Sequence, residues 1–168
     1  MSAQAYFRAV AEALDRLAAE QTEPIRRAAA AVTTAIKGGN ALYAFGASHS
    51  FIIAEELVYR TGGLMLVNPI YPHGMNLFVR PMTLTSRLER VEGLGTELLR
   101  SVPAKRGDVL IVASTSGRNA VAIDMALAAR EIGMTVIGVT SLAYTSGVAS
   151  RHSSGKKLAD LCDVVLDN

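Results

Sequence analysis

The feature that most constrains the fold is an apolar strand that passes through a polar turn into a helix. Val109–Ala113 is a run of five apolar residues, which is typical of a strand buried on both faces of a parallel sheet. Six polar and small residues follow, and then a helical pattern extends from Ala120 to Ile132 and ends at Gly133. This order predicts an α/β domain.

The turn between that strand and that helix has the composition of an anion site. The first turn of a helix has free N–H groups and carries a partial positive charge, so it attracts phosphate. Hydroxyl and amide side chains add donors, and a glycine lets the backbone approach a ligand closely. We therefore predict a phosphate cradle formed by Ser114, Ser116, Gly117, Arg118 and Asn119. A plain helix N-cap is the alternative interpretation of the same residues.

The remaining chain repeats the alternation of strands and helices. Strands are predicted over residues 41–45, 64–67, 109–113, 135–139 and 163–166, and helices over 3–20, 22–37, 51–61, 83–100, 120–132 and 154–161. Right-handed crossovers then give a three-layer, doubly wound α/β fold. We expect a five-stranded parallel sheet in the flavodoxin-like order 2-1-3-4-5, within one domain of residues 1–168 that has N-terminal helices over 3–37 and an α/β core over 41–168.

A second small-residue turn is predicted to lie beside the first. In this strand order, ligands bind beyond the carboxyl ends of strands 1 and 3. The first strand ends in a turn of residues 46–50, so this turn and residues 114–119 meet at the same edge of the sheet. The coincidence favours a phosphate site over two unrelated caps, and it adds Gly46, Ser48 and Ser50 to the site.

Composition excludes several other classes of function. The net charge is only +2 and no basic stripe interleaves with aromatic residues, so we expect no nucleic-acid partner. We expect no membrane partner, since no apolar run approaches 18 residues and no signal peptide is evident. The single cysteine, Cys162, fits a reducing compartment, which predicts a cytoplasmic protein. Because His73 and His152 show no ligand spacing and no Gly-x-Gly-x-x-Gly follows the first strand, neither a metal nor a dinucleotide cofactor is expected.

Residues 46–50, 114–119 and 136–141 resemble the three landmark segments of the SIS (sugar isomerase) domain family. Residues 54–63, 88–93 and 150–156 are similar to signatures of a bacterial subgroup within it, and the resemblance covers nearly the whole chain. It implies binding of a phosphorylated sugar, usually in a homodimer or a higher homo-oligomer, and a distant relation to phosphoheptose isomerase and to the muramic acid phosphate etherase. It also implies a further helical segment, with a catalytic histidine, that we expect this chain to lack.

The same resemblance implies catalytic roles for two residues. Glu56 matches the acidic residue with which phosphoheptose isomerases transfer a proton between C2 and C1 of an open-chain sugar. The alternative is an exposed Glu56 paired with Arg60 one helical turn later. His49 is expected to open the sugar ring or to bind a hydroxyl group, and the alternative is a partly exposed loop histidine.

Weaker candidates lie elsewhere in the chain. Ser153 and Ser154 are secondary candidates for the site. Cations lie near them at the start of a predicted helix, where they oppose the helix dipole, and a bound anion would offset that repulsion. A helix N-cap formed by Ser153 or Ser154 explains these residues equally well. Glu89 and Glu92 either face the sugar or lie on a surface helix. A serine hydrolase, using the incomplete Gly-x-Ser-x-Gly pattern of residues 46–50 with His152 and Asp124, has little support.

Three functions therefore stay open: a phosphosugar isomerase, a non-catalytic phosphosugar-binding module, and a sugar-phosphate lyase or etherase. The apolar stripe of the first helix suits either a dimer interface or a core contact within the chain.

Overall fold

The computed structural model describes residues 2–168, and its centre is a five-stranded, all-parallel sheet. The strands are β1 (Leu42–Gly46), β2 (Val67–Pro69), β3 (Val109–Ala113), β4 (Thr135–Thr140) and β5 (Val164–Asp167). Their order is β2-β1-β3-β4-β5, so the predicted fold class and strand order are confirmed. Leu42 pairs with Val109 and Gly46 with Ala113, so β1 and β3 end level with each other.

Helices cover both faces of the sheet. They are α1 (Ala3–Lys37), α2 (Phe51–Leu57), α3 (Leu84–Leu88), α4 (Leu94–Arg100), α5 (Ala120–Ile132) and α6 (Leu142–Ser146), with 3-10 turns at Ser48–Ser50 and Leu158–Leu161. One core lies between the sheet, α4 and α5, and α5 is buried along most of its length. A second core lies between the other face of the sheet, α1 and α2. No helix within residues 2–168 is both long and apolar enough to cross a bilayer.

The predicted pair of N-terminal helices is wrong, because α1 continues through Pro24 as one helix. Proline removes one donor and leaves the carbonyl of Glu20 without its helical partner. Glu20 is exposed, so water can satisfy that carbonyl and the helix need not end. The apolar stripe of α1 is also exposed, with Phe7 69% and Leu14 61% accessible, so it makes no core contact within the chain.

Four other predicted elements differ from the structure by more than one residue. The second strand, predicted over 64–67, lies at Val67–Pro69. The helix after β1 stops at Leu57, since Val58 is extended and Tyr59 has a φ of 48°. The helix predicted over 83–100 is two helices, separated by a turn that ends at Gly93 with a φ of 85°. The segment predicted as a helix over 154–161 forms only the 3-10 turn Leu158–Leu161.

Candidate functional site

The two turns that follow β1 and β3 line one cavity at the carboxyl edge of the sheet. Its volume is about 290 Å³, close to the lower end of the range for small-molecule sites. The polar residues of the two turns that line it are Ser48, His49, Ser50, Ser114, Thr115, Ser116 and Asn119. The structure therefore brings together the serines and the asparagine of both predicted turns, together with His49.

The turn after β1 is held in a conformation that only a small residue at its start permits. A Cβ atom on Gly46 would lie 2.1 Å from the carbonyl oxygen of Ser50, so the turn closes directly over this glycine. Ser48 has a φ of 56°, and its N–H donates to the carbonyl of Met75 at 2.8 Å. Positive φ is unfavourable for serine and persists only where the surroundings fix it. The backbone of this turn is thus pinned from the loop that precedes α3.

The turn after β3 is fixed from both sides. The N–H of Ser114 donates to the carbonyl of Val139 at 3.0 Å, and the hydroxyl of Thr145 donates to the carbonyl of Ser116 at 3.1 Å. Gly117 has a φ of 58° and is buried. Asn119 precedes α5 in an extended conformation, but its side chain makes no capping hydrogen bond to the helix. Asn119 therefore does not cap α5 through its side chain, which was the alternative to a role in the phosphate site.

A third segment closes the cavity on the α5 side. The carbonyl of Glu89 accepts a hydrogen bond from the N–H of Val121 at 3.2 Å, which holds the turn after α3 against the first turn of α5. Glu89 is half-buried and lines the cavity. Tyr144 of the short helix α6 also lines the cavity but is more exposed. Tyr144 lies in a segment predicted as a loop, and no pattern in the sequence pointed to it. Thr115 was missed although it lies within the predicted turn.

The structure does not bring Glu56 to this cavity. Its side chain is 63% exposed on α2 and pairs with Arg60. This exposed ion pair is the alternative that the sequence left open beside a catalytic role. Glu56 therefore lacks the apolar surroundings expected of a general base in the part of the chain that the structure describes.

Ser153 and Ser154 also lie outside the cavity, with their polar atoms engaged elsewhere. The backbone N–H and hydroxyl of Ser153 donate to the two carboxylate oxygens of Glu92 at 2.7 and 2.6 Å. These hydrogen bonds lower the pKa of the Glu92 carboxyl, and the hydroxyl has a larger effect than the N–H. The hydroxyl of Ser154 lies 2.7 Å from Nδ1 of His152. The two serines therefore hold the 150–154 loop in place.

His152 forms a largely buried pair with Asp124. Its Nε2 atom lies 2.9 Å from Oδ1 of Asp124, while Oδ2 accepts hydrogen bonds from the N–H groups of Gly93 at 2.7 Å and Gly95 at 3.4 Å. Neither His152 nor Asp124 lines the cavity that contains Ser48. The triad required by the serine hydrolase alternative is therefore not assembled.

Gly46, Gly117 and Arg118 are not among the residues that line the cavity, although each belongs to one of the two turns. The glycines act by allowing the turns to close, and Arg118 is the half-buried residue that precedes Asn119. Across residues 2–168, no three His, Cys, Asp or Glu side chains cluster closely enough to hold a metal ion.

Comparison with known proteins places this geometry in a family. The model of the SIS domain matches residues 5–141. A UPF0309 protein of Shouchella clausii is 53% identical over 163 residues, covering 97% of this chain and 66% of the relative. A UPF0309 protein of Oceanobacillus iheyensis is 52% identical over the same shares of the two chains. This chain thus spans just under two thirds of the length of these relatives.

Solved structures show the same fold. Phosphoheptose isomerase GmhA from Neisseria gonorrhoeae superposes with a TM-score of 0.72 at 22% identity, covering 98% of this chain and 82% of that one. A phosphoheptose isomerase from Francisella tularensis gives a TM-score of 0.72 at 17% identity, covering 99% and 85%. At these identities the likeness concerns the fold. With the family model matching most of its length, the chain belongs to the SIS domain family.

Proposed function

We propose that this protein binds a phosphorylated sugar in the cavity between the two turns. The observation that carries the proposal is that serine-rich turns from two adjacent strands line a single cavity, through residues 48–50 of the first turn and residues 114–116 and Asn119 of the second. Membership of the SIS family supports the same class of ligand.

The cavity offers enough donors to hold a phosphate without a lysine. Hydroxyl groups of Ser48, Ser50, Ser114 and Ser116 line it, and the N-terminus of α5 adds its partial positive charge. A hydrogen bond to a charged group contributes about 1.5–3 kcal/mol. Three to five such bonds, less the cost of ordering the ligand, correspond to affinities of roughly micromolar strength. Gly46 and Gly117 would act here indirectly, by letting the two turns close into the conformations that present these donors.

For the chemistry, we propose an aldose–ketose isomerisation in which Glu89 replaces Glu56 as the expected base. Glu89 is half-buried and lines the cavity, whereas Glu56 lies outside it. In this step the carboxylate removes the proton from C2 of the open-chain sugar and returns it to C1 of the enediol. His49 also lines the cavity and would move the hydroxyl proton from O2 to O1, so that the carbonyl group shifts from C1 to C2.

Binding and turnover are tested on the same samples. Hexose and heptose phosphates are titrated by calorimetry, and each mixture is then followed by NMR for exchange of the C2 proton with D2O. Ser116→Ala should weaken binding about tenfold, whereas Ser101→Ala, on an exposed serine at the end of α4, should not change it. If no sugar phosphate binds the wild type at millimolar concentration, the proposed function is wrong.

The position of Glu56 keeps a non-catalytic binding module as the second candidate. Glu89→Gln and Glu56→Gln separate the possibilities. Loss of exchange in Glu89→Gln alone supports the proposed isomerase, and loss in Glu56→Gln alone returns the role to the residue that the sequence favoured. Tight binding with no exchange in the wild type supports the binding module.

We also propose that the chain forms a homodimer through the first half of α1. Tyr6, Phe7, Val10, Leu14 and Leu17 lie on one face of the helix and are 38–69% exposed. An apolar stripe of this length is typical of an interaction surface. Sedimentation should give a dimer for the wild type and for Arg16→Gln on the opposite face, and a monomer for Leu14→Glu. A monomeric wild type would contradict the proposal.

A further inference from the structure

Three arginines lie close together at one rim of the cavity, and one of them belongs to the second serine turn. They are Arg90, in the turn after α3, Arg118, in the turn after β3, and Arg151, in the loop that precedes Leu158–Leu161. These segments are far apart in the sequence, and two of the three arginines are directly linked. The N–H of Arg151 donates to the carbonyl of Arg118 at 2.8 Å.

The cluster is joined to the cavity through residues that line it. A guanidinium nitrogen of Arg151 donates to the side-chain oxygen of Asn119 at 2.9 Å. Arg118 precedes Asn119 in the turn, and Arg90 follows Glu89. Because Asn119 and Glu89 both line the cavity, the three cations flank the side at which α5 begins.

The cations have little compensation from the protein. Among residues 2–168, no carboxylate lies within salt-bridge distance of any of these three arginines. The Nε atom of Arg118 is buried without a hydrogen-bond partner in that range. Burial is the largest of the effects that lower the pKa of Arg151, and the neighbouring guanidinium groups of Arg118 and Arg90 add to it, so the three cations lie close enough to repel one another.

Nearby acidic groups are already engaged in structural contacts. Glu92 accepts both hydrogen bonds of Ser153, and Asp124 pairs with His152 and with backbone N–H groups. Among residues 2–168, Glu89 is the carboxylate whose charge acts on Arg151, and one carboxylate facing three guanidinium groups leaves this rim with an excess of positive charge. Since like charges held together cost free energy, a bound anion at this rim would stabilise the arrangement.

We propose that the sugar phosphate bound here carries a second anionic group, a carboxylate or a second phosphate, which the rim formed by Arg90, Arg118 and Arg151 recognises. This inference rests on the proposed function and refines its substrate class. The serine turns hold the first phosphate, and the arginine rim selects among sugar phosphates by the charge at the other end of the molecule.

Matched ligands test the inference without altering the protein. The open-chain pair of 6-phosphogluconate and glucitol 6-phosphate differs at C1 by a carboxylate, and the pair of fructose 1,6-bisphosphate and fructose 6-phosphate differs by a phosphate. Calorimetry at constant ionic strength should show the doubly anionic member of at least one pair binding about tenfold more tightly or better. The pair that shows the preference identifies the second group.

Arginine variants then locate the preference. Arg90→Gln and Arg151→Gln should each reduce it severalfold while leaving the affinity for the singly charged member nearly unchanged. Arg100→Gln, which removes an exposed arginine paired with Glu97, should leave both affinities as in the wild type.

Different failures have different meanings. Equal affinity for both members of both pairs would overturn the inference and leave the proposed function standing. Equal weakening of both members by the arginine variants would overturn it too, because the arginines would then hold the single phosphate. Absence of binding by all four ligands and by the other hexose and heptose phosphates would overturn the proposed function and this inference with it.

Discussion

Replacing Asp124 by alanine should destabilise the protein strongly, because one buried carboxylate ties three segments of the chain together. Asp124 is 5% exposed and lies on α5. Its carboxylate accepts a hydrogen bond from the N–H of Gly93, in the turn before α4, and pairs with His152 of the 150–154 loop. Removing it leaves a backbone N–H and an imidazole in a nearly dry site without their partner.

The magnitude follows from these contacts. Two of the three hydrogen bonds are short, at 2.7 Å to Gly93 and 2.9 Å to His152, and the 3.4 Å bond to Gly95 is weak. Two charge-assisted bonds at about 1.5–3 kcal/mol each give roughly 3–6 kcal/mol, and breaking a buried pair by removing one partner costs about 3–5 kcal/mol. We expect about 3–5 kcal/mol, a large part of the 5–15 kcal/mol typical of a domain.

Urea unfolding followed by circular dichroism measures this loss. Asp124→Asn keeps one acceptor and should lose about 1–3 kcal/mol. Asp15→Ala, on the exposed part of α1, should stay within about 0.5 kcal/mol of the wild type. A loss below about 1 kcal/mol for Asp124→Ala would refute the reasoning, because it would mean that water or relaxed neighbours satisfy the groups left behind.

Three further predictions concern smaller regions. Gly46→Ala should lower the free energy of unfolding by about 1–3 kcal/mol and weaken phosphate binding, because the Cβ atom of the alanine would displace the carbonyl of Ser50. A crystal structure of the variant with an unmoved turn would contradict this. Burial raises the pKa of the Cys162 thiol to about 12, so at pH 8 it should react with a disulfide reagent far more slowly than in urea, and equal rates would contradict this. Hydrogen bonds from Ser153 lower the pKa of Glu92, so the ionised carboxylate stabilises the fold at pH values above its ordinary pKa. That contribution is lost as the pH falls through the pKa of Glu92 in the folded protein. The difference in the free energy of unfolding between the wild type and Glu92→Gln should therefore shrink in acid.

The sequence predicts most reliably the part of the fold that is buried on all sides. The bounds of Val109–Ala113 and Ala120–Ile132 agree with the sequence pattern to the residue, because a fully apolar strand, a polar turn and a closing Gly133 leave few alternatives. The register of two parallel strands also makes the meeting of the two turns predictable, since their carboxyl ends must share one edge.

Side chains whose positions depend on contacts between distant parts of the chain could not be placed from the sequence. Glu56 lies among apolar residues in the sequence, yet it faces solvent because Phe51 and Ala54 are the buried residues of α2. Ser153 and Ser154 are bound by Glu92 and His152, and the first of these lies about 60 residues away along the chain. Tyr144 reaches the cavity only because α6 follows the end of β4. No local pattern encodes such contacts.

The unbroken α1 has a geometric consequence for any assembly of this chain. A helix of 35 residues is roughly 50 Å long, whereas a compact chain of this size has a radius of gyration of about 15 Å. If two copies associate through the exposed stripe, a stiff rod and not a hinge fixes the separation and orientation of their two cavities. Inserting seven residues after Leu17 would push the copies apart by about 10 Å with the same face still presented, while inserting two would turn that face away.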